Sequence, residues 1–533
     1  MSVPKSIYKQ PNSSQLIRAL QDPGIYDHPV KQFSLIETHI SWVILTGSFA
    51  YKIKKPVNLG FVDFSTLEKR HYFCVEELRL NRRFAPDLYL DVVAIRGSHK
   101  QPSLEKDGEI IEYAVKMREF SQRDLLDSYA SAHRLEPDHI DSLADVIADF
   151  HRLAPPAKSD SVFGSVGTIK EWTRENFVNI EAEVPEKILP EYFQSLKKWC
   201  LTSSNKRLTN MIERHANGFV RECHGDLHLG NIALIDDHIT PFDCIEFNPN
   251  LRWIDTTSEI AFVVMDLYAH GYPEYAWQFI NRYFHANGDY AGIGLLRYYF
   301  VYRATVRAKV EALRLTPENP GITRSREAYQ AVQHYLDLAQ NWASNRSPAI
   351  IVMHGLSGSG KSTLARHLSS TLGAIQIRSD VERKRMFGLD AKADSGSEVE
   401  KDIYSQEATN KTYDHLEDLT GKIIESGFTA IVDASFLKLM HRQQFSQLAL
   451  NSHFPFVLVS CEASSEELAS RIEQRIKNGE DPSEANLEVL NHQLQTQEAI
   501  SEEERNQAKV IISTGPTLSP NQLHDLKLHI NAC

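Results

Sequence analysis

At 533 residues the chain is too long for one ordinary hydrophobic core, so two or three domains are expected. Apolar residues make up 42% and charged residues 24%, the balance of a soluble globular protein, and the net charge of −12 argues against a general nucleic-acid or anionic-membrane surface. The six cysteines are scattered without a C-x-x-C pair, which points to reduced thiols rather than a zinc site, and no apolar run reaches membrane-spanning length. The stretch Met1–Ser14 is polar, with no leader-like apolar segment, and a cytoplasmic protein is expected.

From about Ser34 to Arg96 the pattern is strand-like. Trp42–Leu45 leads through the loop Thr46–Ala50 into Tyr51–Lys55, which alternates apolar and basic residues. A helical segment runs from Ser65 to Phe84, and Ile95 and Ile110–Met117 read as further strands. Helices dominate from Asp124 to about Ala343; one of them shows its apolar face as Leu143, Val146, Ile147 and Phe150.

One interruption, between Phe219 and Phe247, carries H-G-D-x-x-x-x-N as His224 to Asn231. Ile232–Ile235 and Ile239–Phe242 flank the polar turn Asp236–His238 and predict a hairpin that brings Asn231 and Asp243 to one open end. Two oxygen ligands there suit Mg²⁺ held against phosphates, and Asp226 is placed to take a proton from an attacking hydroxyl.

This arrangement resembles the catalytic loop and metal aspartate of the aminoglycoside phosphotransferase/choline kinase group within the protein-kinase-like fold, over roughly residues 30–340. His-Gly-Asp stands where protein kinases have His-Arg-Asp. The resemblance implies a phosphate-binding lysine on the 51–55 strand, taken as Lys54 with Lys52 as its rival, and an ion-pair partner Glu77, with Glu76 as the alternative. It also implies an adenine-binding hinge at Glu112–Met117. The loop Thr46–Ala50 has a single glycine in place of G-x-G-x-x-G, a set that aminoglycoside-kinase-like proteins often lack. Asp255, Glu259 and Asp266 either attract a cationic acceptor or serve as structural caps, the second being preferred.

The polar, proline-closed junction Asn345–Pro348 sets the expected domain boundary, giving domains 1–345 and 346–533. Immediately after it, the apolar run Ile350–His354 precedes Gly355-Leu356-Ser357-Gly358-Ser359-Gly360-Lys361-Ser362-Thr363, a match to the P-loop pattern G-x-x-x-x-G-K-[ST]. Glycines let backbone amides curl around a phosphate, Lys361 reaches the β/γ-phosphates, and Ser362 ligates Mg²⁺. Leu364, Leu368 and Leu372 mark the following helix, with Gly373 as its cap, and its positive end faces the same anion.

Ala374–Ile377 then predicts a strand that delivers Asp380 to the γ-phosphate as a general base. Arg383–Arg385 would hold an anionic group or form a solvated helix face. Thr429–Val432 ends in Asp433, a Walker-B-like metal carboxylate, and Phe456–Val459 is another buried strand. Arg471 and Arg475, four apart on a helix, suit a lid over phosphates or pairing with Glu467.

The order of these motifs resembles the P-loop kinases that include gluconate kinase, zeta toxin and polynucleotide kinase, over about residues 348–515. The whole chain resembles bacterial proteins that fuse an aminoglycoside phosphotransferase domain to an AAA-type ATP-binding domain. The resemblance implies an N-terminal α+β two-lobed kinase-like fold followed by a doubly wound α/β P-loop fold. It further implies ATP and Mg²⁺ as cofactors and small-molecule hydroxyls as acceptors. The rivals are an ATP-hydrolysing regulatory or toxin–antitoxin-like protein and a nucleic-acid 5′-hydroxyl kinase in the C-terminal domain, the latter disfavoured by the acidity.

Overall fold

The computed structural model describes residues 11–60, 62–315, 322–344, 347–391, 393, 395, 402–478 and 483–531. Asn345 and Arg346 of the expected junction, Cys533 and most of the 1–14 stretch lie outside them. The described residues fall into two compact units, one drawn from Met1–Leu135, Phe150–Ile169 and Ile212–Val263, the other from Glu136–Asp149, Lys170–Met211 and Val264–Cys533. The change of sequence character near 345 is therefore a change of fold type and not a gap in packing. Helices that precede it pack with the P-loop fold that follows it.

The first unit is built on a six-stranded antiparallel sheet in the order β1-β2-β3-β6-β4-β5. Its strands are β1 (Ser34–Glu37), β2 (Ser41–Leu45), β3 (Phe49–Lys54), β4 (Tyr89–Ser98), β5 (Gln101–Ser103) and β6 (Ile110–Arg118). Period-two alternation decides what each face carries. Tyr51 and Ile53 of β3 join Leu16 and Ile17 of the Pro11–Ala19 helix, and Leu20 just after it, in one core. Lys52 and Lys54 therefore turn to the opposite face, where the Leu67–Asn81 helix lies, started by Thr66, whose side chain accepts from Lys69 N. Beyond the sheet, β7 (Val220–Glu222) pairs with β10 (Trp253–Asp255), and β8 (Ile232–Ile235) with β9 (His238–Pro241).

The stretch expected as an inter-lobe hinge is not one. Glu112–Met117 lies inside β6, which is bonded to β3 along one edge and β4 along the other. Its amides are thereby committed to the sheet, and Glu112 is buried in a two-oxygen ion pair with Arg70 Nε at 2.9 and 2.8 Å. The chain leaves the sheet only after Arg118.

The second unit contains a five-stranded parallel sheet, order β12-β13-β11-β14-β15. These are β11 (Ile350–His354), β12 (Ile375–Arg378), β13 (Ala430–Asp433), β14 (Phe456–Cys461) and β15 (Lys509–Ser513), the last not singled out in the sequence. Ile351, Met353, Ile431, Val457 and Val459 fill its centre with Leu364 and Leu368 of the Lys361–Leu372 helix, which ends on left-handed Gly373 as its spacing predicts.

Three histidines of this unit are held neutral by burial: His285 is pushed down to about 3, and His354 and His441 each to about 4. Unfolded histidine titrates near 6.5. As pH falls from about 6.5 towards 4, the unfolded chain takes up protons that the folded chain refuses, so stability is full above that window and falls within it. Calorimetric melts are expected to show a falling Tm across this range, with net proton uptake on unfolding approaching three. A Tm independent of pH there would contradict the burial assigned to these rings.

Candidate functional site

Two groups of the expected site residues come together, one in each unit. In the first, the β8–β9 hairpin forms as the sequence predicts, turning through left-handed Asp236 and Asp237. Phe242 N donates to Asn231 O at 2.9 Å, which brings the two ends of the hairpin together beside Asp243. Asp243 itself adopts φ +64°, a left-handed conformation uncommon for a residue with a side chain. It is held there by its neighbours: Asp243 N donates to the Tyr89 hydroxyl at 3.1 Å, and Cys244 N to Asn81 Oδ1 at 2.9 Å.

Asp226 follows Gly225, whose φ is +94° and where a Cβ would stand 2.8 Å from Leu251 O. The loop is anchored from beneath. Glu259, from the Thr256–Ala269 helix, accepts from His224 N with both oxygens at 2.8 and 3.0 Å, and His224 Nε2 reaches Phe242 O at 2.7 Å. Asn231 Nδ2 donates to Asp226 O at 3.0 Å and to Asp226 Oδ2 at 3.2 Å. That orientation aims the Asn231 carboxamide oxygen away from Asp226, as a cation ligand requires.

Both candidate lysines meet Glu77, and they differ in their second partner. Lys52 Nζ lies 2.5 Å from Asp243 Oδ1 and 2.7 Å from Glu77 Oε1. Lys54, 1% exposed, is enclosed by Glu77 Oε2 at 2.6 Å and by Glu246, with the Phe64 ring beneath it. Both lysines share the face that alternation assigns them, but the strand runs so that Lys52 meets Asp243 while Lys54 sits deeper. Burial opposes the charge on Lys52, and Asp243 and Glu77 outweigh it, holding its ammonium well above the ordinary range. Against the same opposition from burial, Lys52 and Lys54 hold Glu77 down to about 2. Glu76 faces the other way, onto Arg79 and Arg252, so Glu77 is the lysines' partner.

Glu246 escaped the sequence reading; its one signal was a second carboxylate three residues after Asp243. Asp255 is a buried partner of Arg214, at 2.8 and 2.9 Å, and caps Thr257 N at 2.8 Å. His151, Cys223 and Glu259 bring their ligand atoms within 4.8 Å of one another, but Glu259 is already the anchor of the His224 loop.

In the second unit the P-loop joins β11 to its helix. Gly355 has φ +140°, with a would-be Cβ 2.5 Å from Cys461 O, and Gly358 has φ +82°, with one 2.8 Å from Leu468 O. Neither position admits a side chain. Lys361 Nζ folds onto the loop's own Leu356 O at 2.7 Å, and Ser357 N donates to Gln493 Oε1 at 2.8 Å. Ser359 Oγ is buried without a hydrogen-bond partner. Ser362 hydrogen-bonds Asp433, and burial pushes the Lys361 ammonium down and the Asp433 carboxyl up. An anion at Lys361 and a cation at Asp433 would each favour the charged form. An orphaned hydroxyl, a glycine-only loop and a Ser–Asp pair fit a magnesium-bound polyphosphate.

Asp380 lies in the first turn of the Ser379–Met386 helix, close enough for its charge to act on both Lys361 and Asp433. Arg471 Nη1 approaches Gly358 O at 3.4 Å while Nη2 is 3.9 Å from Glu467, and Arg475 Nη2 donates to Ala485 O at 2.5 Å. Leu356, Gly360 and Thr363 complete the loop and the first helical turn. Arg383, Lys384 and Arg385 all have partners within the fold, so they do not form a solvated helix face. Arg383 is buried against Ile403 O at 2.8 Å, Lys384 pairs with Glu484 at 2.8 Å, and Arg385 pairs with Glu382 and donates to His285 O at 2.6 Å.

With strand, glycine loop, lysine and acidic strand end in place, the chain can be set beside known families. Residues 350–500 match the AAA domain family. Over 460 residues the chain is 28% identical to uncharacterized proteins of Mycobacterium bovis and Mycobacterium tuberculosis, spanning 85% of this chain and 89% of each of theirs. Among solved structures, an amicoumacin kinase bound to AMP-PNP, Ca²⁺ and Ami aligns over 62% of this chain and 94% of its own, at 13% identity and TM-score 0.39. A gluconokinase from Sinorhizobium meliloti aligns over 35% and 91%, at 20% identity and TM-score 0.23. In the N-terminal part a six-stranded antiparallel sheet is followed by helices, and the C-terminal part is a five-stranded parallel sheet with the P-loop, where the AAA domain family matches. Among the described residues no helix is long and apolar enough to cross a membrane.

Proposed function

We propose that the chain carries two phosphotransferase modules, each passing the γ-phosphate of ATP to a hydroxyl of a small molecule. The observation that supports this reading best is the doubled constellation: Lys52 between Glu77 and Asp243 in one unit, Lys361 beside Ser362 and Asp433 in the other. In phosphoryl transfer the protein mainly positions the reactants and neutralises charge.

In the front module Lys52 steadies the phosphates and Glu77 orients Lys52. Asp226, fixed by Asn231 Nδ2, accepts the proton of the attacking hydroxyl. In the AAA domain Lys361 and the loop amides hold the phosphates, Asp380 is the proton acceptor, and Arg471 and Arg475 turn from Gly358 O and Ala485 O onto the transferring group. Magnesium, held by Asn231 and Asp243 in front and by Ser362 and Asp433 behind, would supply the remaining neutralisation.

γ-Labelled ATP incubated with a metabolite pool tests the reading. Wild type is expected to yield at least two labelled products, with Asp226→Ala removing one and Asp380→Ala another. Label unchanged in both variants, or ADP release without any labelled acceptor, would overturn it.

A further inference from the structure

In the second unit, β12 is the edge strand of the parallel sheet, with β13 on its inner side. An edge strand leaves alternate amides and carbonyls unpaired, and buried ones need partners. Here the partner is a helix. Asn281, 5% exposed in the Pro273–Asn287 helix, donates Nδ2 to Ala374 O at 3.0 Å and accepts at Oδ1 from Gln376 N at 2.7 Å. Its carboxamide thus bonds the edge as one residue of a further strand would. One turn later His285 Nε2 reaches Gln376 O at 2.9 Å. Burial keeps that ring neutral, so it donates to the carbonyl through a single proton. Arg385 Nη2, donating to His285 O at 2.6 Å, and Trp277, stacked where a Cβ on Gly373 would meet it at 3.0 Å, fix the helix at both ends of the strand.

Both backbone polar groups of Gln376 are therefore held by this helix. Its side chain, on a residue only 3% exposed, turns inward and donates Nε2 to Asp433 Oδ2 at 3.0 Å, and Asp433 in turn meets Ser362. Three links run without a gap: helix to edge strand, edge strand to carboxylate, carboxylate to P-loop hydroxyl.

We propose that Asn281 and Gln376 are positioning residues for Asp433, so that the cation site of the AAA domain is completed by a helix lying well outside residues 350–500. This rests on reading Ser362 and Asp433 as the magnesium site. Partners that orient a metal ligand typically account for about 10- to 100-fold in metal affinity. Gln376→Met keeps the strand and its length but removes the donor to Asp433. Asn281→Asp keeps the acceptor for Gln376 N and removes the donor to Ala374 O.

The test uses the full chain with the front module silenced by Asp243→Asn, and a fluorescent ATP analogue titrated at fixed nucleotide while free Mg²⁺ is varied. Gln376→Met is expected to raise the Mg²⁺ concentration for half-maximal binding about 10-fold, with binding in EDTA and the apo melting temperature unchanged. Asn281→Asp should shift the same midpoint in the same direction by a smaller factor, which keeps the proposal testable if Gln376→Met fails to fold. Ser362→Ala is the reference for the underlying reading. If it leaves the Mg²⁺ midpoint in place, the magnesium site itself is misassigned. If Ser362→Ala shifts the midpoint and neither Gln376→Met nor Asn281→Asp does, the positioning role is refuted while the site stands.

Discussion

Lys52→Met is expected to lower front-module phosphotransfer by at least about 100-fold with little change in melting temperature, while Lys54→Met, two residues away on the same face, destabilises the first unit. The difference follows from where each ammonium sits. Lys52 is partly exposed beside Asp243 and touches Glu77, which keeps Lys54 as a partner when Lys52 is removed. Its loss removes a charge aimed at the phosphates, and deleting one such donor costs about 10²–10³ in rate. Lys54 is enclosed by Glu77 and Glu246, both buried. Removing it leaves Glu246 without a cation and Glu77 with one, and breaking a buried pair this way costs about 3–5 kcal/mol.

Acid sharpens the contrast. The lysines hold Glu77 down to about 2. Its contribution to stability is therefore complete above the unfolded value near 4.5 and lost only as pH falls towards 2. Without Lys54 that loss should begin at higher pH. The checks are formation of the product that Asp226→Ala abolishes and thermal melts at pH 7 and pH 4. A Lys54→Met protein that melts like wild type but transfers no phosphate would return the phosphate role to Lys54.

Lys361→Met is expected to abolish nucleotide binding by the AAA domain while leaving the apo chain at least as stable as wild type. Lys361 is buried, its ammonium is disfavoured by that burial, and its hydrogen bond is to the carbonyl of Leu356. Methionine fills similar volume without a desolvated charge, and replacing a buried charge by an apolar group of the same shape is often neutral or stabilising. The phosphate, by contrast, loses its principal cation. A ligand at 100 times its Kd stabilises the folded state by about 2.7 kcal/mol. In a chain whose front module is silenced, wild-type Lys361 should show that ATP-dependent rise in melting temperature and Lys361→Met should not. An undiminished rise in the variant would place the nucleotide elsewhere.

Where the chemistry resides in consecutive residues, it was legible. The P-loop is a contiguous backbone device, so Gly355 to Ser362 states it in full. The Asp236–Asp237 turn and the apolar runs around it likewise predict a hairpin that forms in register. Alternation alone was enough to place Lys52 and Lys54 on one face; that a helix carrying Glu77 lies against that face was implied only by the resemblance. Alternation could not rank them, because both are equally spaced from the sheet plane and only the approach of Asp243 distinguishes them. The 112–117 stretch misled for a related reason: a central strand and a strand leading into a hinge have the same composition, and the ladder partners on both edges come from residues 49–53 and 89–96. The charge pattern of Arg383–Arg385 left an anion-holding role and a solvated face both open, and the partners it finds, Ile403, Glu484 and His285, are remote in sequence.

By itself the sequence determined the H-G-D-x-x-x-x-N and P-loop motifs, their order along the chain and the strand or helix that carries each, since these depend on backbone geometry within a few residues. Tertiary structure alone decided which lysine faces Asp243, that Glu246 neutralises the other, and that Asn281 lies against the edge of the P-loop sheet. Those outcomes depend on buried charges and unpaired edge amides finding partners about 90 to 190 residues away along the chain, and no local pattern encodes a partner at that distance.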